Sequence, residues 1–215
     1  MKIIIPARGG SKRIPKKNLL DLNGKSLLYY SIKTSLNITD DVYVSTEDKE
    51  IKKFSESMNV NVIDRPKRLA ADESKTEDVV EHFLEEVDMS GDDLFCVVQP
   101  TSPLLHFNSI LFGVEQMEKS LDYSKYDSII SVCEDVNYYW DSNGKPINFE
   151  LGKRKRTQEH QIWFKENGAF YITTKDNFLK KNILQNGNVG FVVMDKISSL
   201  DIDDYEDFNL VKGVM

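Results

Sequence analysis

Over its first two-thirds the chain alternates short runs of β-branched and aromatic residues with stretches of helical periodicity, and that alternation leaves few architectures open. Residues 2–5, 41–44, 61–63, 94–98 and 128–132 read as strands, rich in Ile and Val and bounded by turn or charged residues. Residues 26–36, 48–58, 76–87 and 109–119 read as helices. In the third of these, Val79, Val80, Phe83, Leu84 and Val87 form an apolar stripe while Glu81, Glu85 and Glu86 face water. Nearly continuous apolar strands separated by helices predict an α/β chain with a mostly parallel, doubly wound sheet covered on both faces. Ligands bind such sheets beyond the carboxyl ends of the strands, so the loops after the strands are where chemistry is expected. A length of 215 residues fits one domain over 1–215.

The alternation breaks after Cys133. Residues 134–165 contain the turn Asn143-Gly144-Lys145-Pro146, the basic run Lys153-Arg154-Lys155-Arg156, and six large aromatics: Tyr138, Tyr139, Trp140, Phe149, Trp163 and Phe164. Linkers rarely carry so many aromatics, so the segment is expected to be a protruding, hairpin-like arm packed on its own domain or on a second subunit. The sheet is expected to resume at 169–173 and 189–194, with a closing helix at 204–211.

A net charge of −7 argues against nucleic acid as the partner, because binding phosphates over a large surface needs a basic face. A small anion needs only one basic loop. The two cysteines, Cys96 and Cys133, lie inside apolar runs without metal-ligand spacing and are expected to be buried thiols of a reducing compartment. His82, His106 and His160 are scattered, which gives no zinc pattern. The apolar start is too short for a signal peptide and no run reaches a membrane-spanning length, so a cytoplasmic protein without membrane attachment is expected.

The basic loop follows the first strand, as Pro6-Ala7-Arg8-Gly9-Gly10-Ser11-Lys12-Arg13-Ile14-Pro15-Lys16-Lys17-Asn18. Two glycines allow close backbone approach and free amides, and Arg8, Lys12, Arg13, Lys16 and Lys17 add five cations, a combination suited to a polyphosphate. The alternative is a solvated basic turn. The loop is neither a Walker A loop nor a GxGxxG fingerprint. In Arg65-Pro66 the proline holds the arginine's backbone extended; Arg65 either meets a ligand or pairs with Asp64 or Asp72. Gln99-Pro100-Thr101-Ser102-Pro103 is a rigid strand end, and the Gln99 amide offers both a donor and an acceptor to a ligand. Asp201-Ile202-Asp203 puts two carboxylates on one side of an extended segment with Ile202 on the other. Such hard oxygen ligands suit Mg²⁺, while Asp204, Glu206 and Asp207 keep open the reading of acids at a helix start.

The loop resembles the CTP-binding loop of the acylneuraminate cytidylyltransferase family, the CMP-sialic acid synthetases and their relatives for other keto-deoxy sugar acids. Five further stretches follow in the family's order: Val44-Ser45-Thr46-Glu47-Asp48, Arg65-Pro66-Lys67-Arg68-Leu69-Ala70-Ala71-Asp72, Gln99-Pro100-Thr101-Ser102-Pro103-Leu104, Glu166-Asn167-Gly168-Ala169-Phe170-Tyr171-Ile172 and Leu200-Asp201-Ile202-Asp203. The resemblance implies a Rossmann-like nucleotidyltransferase fold. It also implies transfer of CMP from CTP to the C2 hydroxyl of a nine-carbon 2-keto-3-deoxy sugar acid. By the same resemblance Arg8, Gly9, Ser11, Lys12, Lys17, Asn18, Arg65 and Gln99 bind CTP, while Gln99, Thr101, Ser102, Arg156 and Asn167 meet the sugar acid. The resemblance further implies that Asp201 and Asp203 hold Mg²⁺ and share catalysis with Lys17. Family members are dimers whose arm reaches the neighbouring site, which implies a homodimer here. An eight-carbon acid of the Kdo type is an alternative substrate, and a non-catalytic nucleotide-binding module an alternative class. Two departures are visible: Leu105 stands where the family often has arginine, and no proline follows Arg154-Lys155-Arg156-Thr157-Gln158.

Overall fold

Lys2–Pro6 forms strand β1 of the computed structural model, which describes residues 1–123, 126–153, 156 and 161–215. Its three isoleucines, Ile3, Ile4 and Ile5, have no accessible surface. Successive side chains of a strand point to opposite faces, so Ile3 and Ile5 enter one core layer and Ile4 the other. Each contributes about 1.5–3 kcal/mol on full burial. The first layer is closed by helices α1 (Leu27–Leu36), α2 (Lys49–Ser57) and α4 (Phe107–Tyr123). The second is closed by α3 (Thr76–Glu86) and the short α5 (Lys175–Leu179), where Phe83, Phe95 and Phe178 pack ring against ring.

The small hairpin β2 (Asp21–Leu22) and β3 (Lys25–Ser26) stands apart from the main sheet. That sheet also contains β4 (Val42–Thr46), β5 (Asn61–Asp64), β6 (Leu94–Val98), β7 (Ser128–Asp135), β8 (Trp163–Thr174) and β9 (Val189–Met194). Its order is β5-β4-β1-β6-β8-β7-β9. All neighbours are parallel except β8, which runs antiparallel to both β6 and β7. The mostly parallel sheet is therefore present, and the one reversal follows from the arm. The arm turns the chain back beside β7, so the returning strand pairs antiparallel.

That return makes β8 longer than the apolar run 169–173 predicts. Glu134 and Asp135 pair with Phe164 and Trp163, so a ladder with polar residues extends beyond the core. The register breaks between Ile130 and Val132, opposite Asn167-Gly168, where Gly168 takes φ 70°. Within the arm, Asp141 accepts from the Asn143 and Lys145 amides and Gly144 takes φ 76°, which closes the turn. Tyr138 and Trp140 both meet Phe149 edge-on. Trp140, Ile162, Trp163 and Phe164 remain exposed, and Phe164 stacks near exposed Phe191 on edge strand β9. Arg154, Lys155, Thr157, Gln158 and His160 lie outside the described residues.

Cys96 is buried, and burial pushes its thiol pKa up. Cys133 is only half-buried, because it falls where β7 leaves the core. No helix among the described residues is long and apolar enough to cross a membrane.

Candidate active site

The carboxyl ends of β1, β5 and β6 open into a cleft of about 430 Å³. The loop after β1 forms one wall, residues 65–79 the opposite wall, and Gln99-Pro100-Thr101 the floor, with Asp203 at one end. Arg8, Ser11, Lys12, Lys17, Asn18, Arg65, Gln99 and Thr101 all line it.

The loop is shaped by its backbone. The Ala7 amide donates to the Ser45 carbonyl at 3.0 Å and the Gly9 amide to Glu47 Oε1 at 2.8 Å. A side chain at Gly9 would collide with Asp48, since a Cβ there would lie 2.5 Å from Asp48 Oδ2. Gly9 is thus a close-approach residue whose amide turns toward Glu47, rather than the free amide expected from the two glycines. Buried Asn18 folds the loop back on itself, donating from Nδ2 to the Arg8 carbonyl at 2.9 Å.

Four of the five loop cations reach the cleft, held in two pairs by carboxylates on opposite sides. Arg8 and Lys12 bind Asp72 at 3.1 and 2.8 Å, and the Lys12 hydrogen bond is the main cause of the lowered Asp72 pKa. Arg13 and Lys17 face Asp203 at 3.3 and 3.7 Å. The fifth, Lys16, leaves the site. It takes a left-handed backbone with φ 53° and pairs with Glu50 at 2.7 Å.

Lys17 is the most enclosed of the four. It donates to the Ile202 carbonyl at 2.8 Å, and burial lowers its pKa against the opposing pull of Asp203 and Asp201. Arg65 is buried, donating from Nε to Ser45 Oγ and from Nη2 to the Ser45 carbonyl. Burial lowers its pKa to about 10, with Glu47 opposing and Arg8 reinforcing, so it stays charged at neutral pH. Neither anticipated ion pair of Arg65 forms: Asp64 binds Lys52 and Asp72 binds Arg8 and Lys12. Gln99 turns its amide toward Thr76 Oγ1 at 3.5 Å.

Asp201 and Asp203 flank fully buried Ile202, which packs with Ile14, Leu22, Phe208 and Val211. The same apolar cluster therefore anchors both the far end of the basic loop and the aspartate pair. Thr101 fixes the segment: its carbonyl accepts from the Ile202 amide at 2.9 Å and its hydroxyl bonds Asp201. Burial raises the Asp201 pKa against that hydrogen bond, and nearby Asp203 raises it further. The helix-start reading belongs to the following acids instead. Asp204 caps α6 (Tyr205–Val214) by accepting from the Glu206 and Asp207 amides. A desolvated carboxylate beside a second one fits a hard dication, which would offset the charge that burial penalises. Among the described residues no cluster of three or more His, Cys, Asp or Glu side chains is placed to hold a metal. Two carboxylates leave room for water and phosphate oxygens, as Mg²⁺ prefers.

Three residues implied for the sugar acid do not line this cleft. Ser102 is buried beneath its floor. Asn167 is buried in the β8 bulge, where it donates to Ser199 Oγ at 2.9 Å and accepts from the Ala169 amide. Arg156 lies exposed on the arm. Conversely, Asp72, Ser74, Lys75 and Thr76 line the cleft without having been singled out as ligands. Their only signal was position after the Arg65-Pro66 stretch.

A sequence profile for a family described as Cytidylyltransferase matches residues 2–212. N-acylneuraminate cytidylyltransferase A of Danio rerio is 32% identical over 209 residues, covering 93% of this chain and 47% of that protein. Pseudaminic acid cytidylyltransferase of Campylobacter jejuni subsp. jejuni serotype O:2 is 30% identical over 218 residues, covering 97% and 93% respectively. The chain thus spans about half the length of the first relative and nearly all of the second. Among solved structures, a CMP:2-keto-3-deoxy-manno-octonic acid synthetase complexed with CTP superposes with a TM-score of 0.71 at 16% identity, covering 100% of this chain and 97% of the other. At that identity the likeness speaks for a common fold.

Proposed function

This chain belongs to the cytidylyltransferase family, and from that premise we propose that it transfers CMP from CTP to the anomeric C2 hydroxyl of a nine-carbon 2-keto-3-deoxy sugar acid, releasing pyrophosphate. The observation that carries the reading is the cleft itself, which faces a four-cation loop and buried Arg65 toward Asp203, with Asp201 set behind it on the other side of Ile202. Relatives of both lengths bear names of nine-carbon acids, N-acylneuraminate and pseudaminic acid, which supports that substrate class over the eight-carbon one.

In this reading Arg8, Lys12, Arg13 and Lys17 exchange their carboxylate partners for phosphate oxygens, and the loop steadies pyrophosphate as it leaves. Gln99 and the 74–76 wall meet the nucleoside. Asp201 and Asp203 would hold Mg²⁺, which when bound supplies positive charge to the phosphate oxygens and acidifies a nearby hydroxyl. Holding the C2 hydroxyl in line with the α-phosphorus supplies the rest by positioning. The aspartate pair argues against a non-catalytic nucleotide-binding module, which has no need of it. Pyrophosphate release from CTP should therefore require a nine-carbon keto-deoxy acid. Release with Kdo instead would shift the substrate class, and none with any acid would favour the binding module.

The exposed aromatics of the arm and of β9 support a homodimer, because a lone domain would leave them as an apolar patch. Exposed Arg156 would then serve the partner's sugar pocket. Mixing Arg156→Ala with Asp203→Asn subunits, each inactive alone, should restore about a quarter of normal activity on random exchange. Proven exchange without recovery would place each whole site within one chain.

A further inference from the structure

A carboxylate packed against an anion-binding loop is electrostatically adverse, so its presence calls for a compensating role. Glu47 is such a group. It stands between Thr46, the last residue of β4, and Asp48, the cap of α2, and its neighbours Ser45, Thr46 and Asp48 all touch residues of the cleft walls. Ser45 accepts two hydrogen bonds from the buried Arg65 guanidinium, and the Thr46 carbonyl accepts from the Arg65 amide at 2.9 Å. Asp48 packs beneath Gly9 while capping α2. Glu47 Oε1 accepts the Gly9 amide at 2.8 Å. Its Oε2 is also buried, without a hydrogen-bond partner among the described residues, and the Glu47 charge favours the protonated form of Arg65. One short turn therefore grips both the basic loop and the buried arginine.

We infer that Glu47 is a positioning residue. By holding the Gly9 amide it sets the path of the loop, so that Arg8, Ser11 and Lys12 face the cleft in register with Arg65. The inference rests on the cytidylyltransferase reading and adds a residue to which no role had been given. Glu47 acts through the loop and does not line the cleft itself.

Charge and position predict opposite signs, which makes the role testable. Glu47→Gln keeps an oxygen for the Gly9 amide and removes the charge. Glu47→Ala removes both, and Glu47→Met does the same while preserving packing should the alanine variant fail to fold. Binding of inorganic pyrophosphate and of CTP is measured by calorimetry, alongside KM for CTP and for the sugar acid. Glu47→Gln is expected to bind pyrophosphate as well as the wild type or slightly better. Glu47→Met is expected to bind it about tenfold more weakly, the scale of a lost charge-assisted hydrogen bond, with KM raised for CTP and not for the acid. Tighter binding in both variants would reduce Glu47 to an adverse charge, and equal weakening in both would remove Gly9 as its target. Wild-type affinity in Glu47→Met would overturn the assignment alone. Failure of the wild type to bind either ligand would instead overturn the nucleotide reading, and this inference with it.

Discussion

Replacing Asp203 or Asp201 by asparagine is expected to cut turnover by about a hundredfold or more while leaving the fold intact. Both carboxylates flank buried Ile202, whose packing needs neither of them. Asp201→Asn carries a second, opposite effect. The folded-state pKa of Asp201 lies above its ordinary value, chiefly through burial. Ionisation therefore costs stability at neutral pH, and the cost vanishes as pH falls below the ordinary aspartate range, where both states are protonated. Asparagine removes that cost and can keep the contact with Thr101. Without added metal, Asp201→Asn should melt higher than the wild type near neutral pH, and the gain should disappear in acid. A folded double variant with near-normal turnover in Mg²⁺ would overturn the metal assignment.

Lys17→Ala and Arg65→Ala should each lower kcat/KM for CTP by about tenfold to a hundredfold, from roughly 1.5–3 kcal/mol of lost charge-assisted contact. Lys17 contributes in two ways, since its ammonium reaches Asp203 and the Ile202 carbonyl from a position only 14% exposed. Its loss leaves the aspartate pair short of a cation before any ligand arrives. Arg65→Ala should also lower the melting temperature, because the Ser45 carbonyl and hydroxyl lose their donor inside the protein. Arg65→Lys would recover little, as one ammonium does not reproduce the two-point grip on Ser45. Unchanged kcat/KM in both alanine variants would remove these cations from the nucleotide site.

Much of this was legible in the sequence because the signals were local. The apolar runs of β1, β4 and β6 set the sheet, and the loops after β1, β5 and β6 hold most of the cleft. What stayed hidden depends on backbone direction or distant pairing. Lys16 and Lys17 are neighbours with the same chemistry, yet the left-handed backbone at Lys16 sends one to Glu50 and the other to Asp203. Asp203 and Asp204 likewise part company, one facing Arg13 and the other capping α6. Gly9 looked like a phosphate-facing amide because nothing local shows that Glu47 claims it. The first half of β8 follows two aromatics with the polar run Lys165-Glu166-Asn167-Gly168, and it becomes a strand because the end of β7 pairs with it.

Phosphorus NMR of a reaction with CTP, Mg²⁺ and a nine-carbon keto-deoxy acid tests the proposed cytidylyl transfer at the bond that it would form. One equivalent of pyrophosphate and one new CMP ester should form for each acid consumed, with both formed at least about a hundredfold more slowly by Asp203→Asn. Formation of CDP and inorganic phosphate, or CTP left intact with every acid of the class, would contradict it.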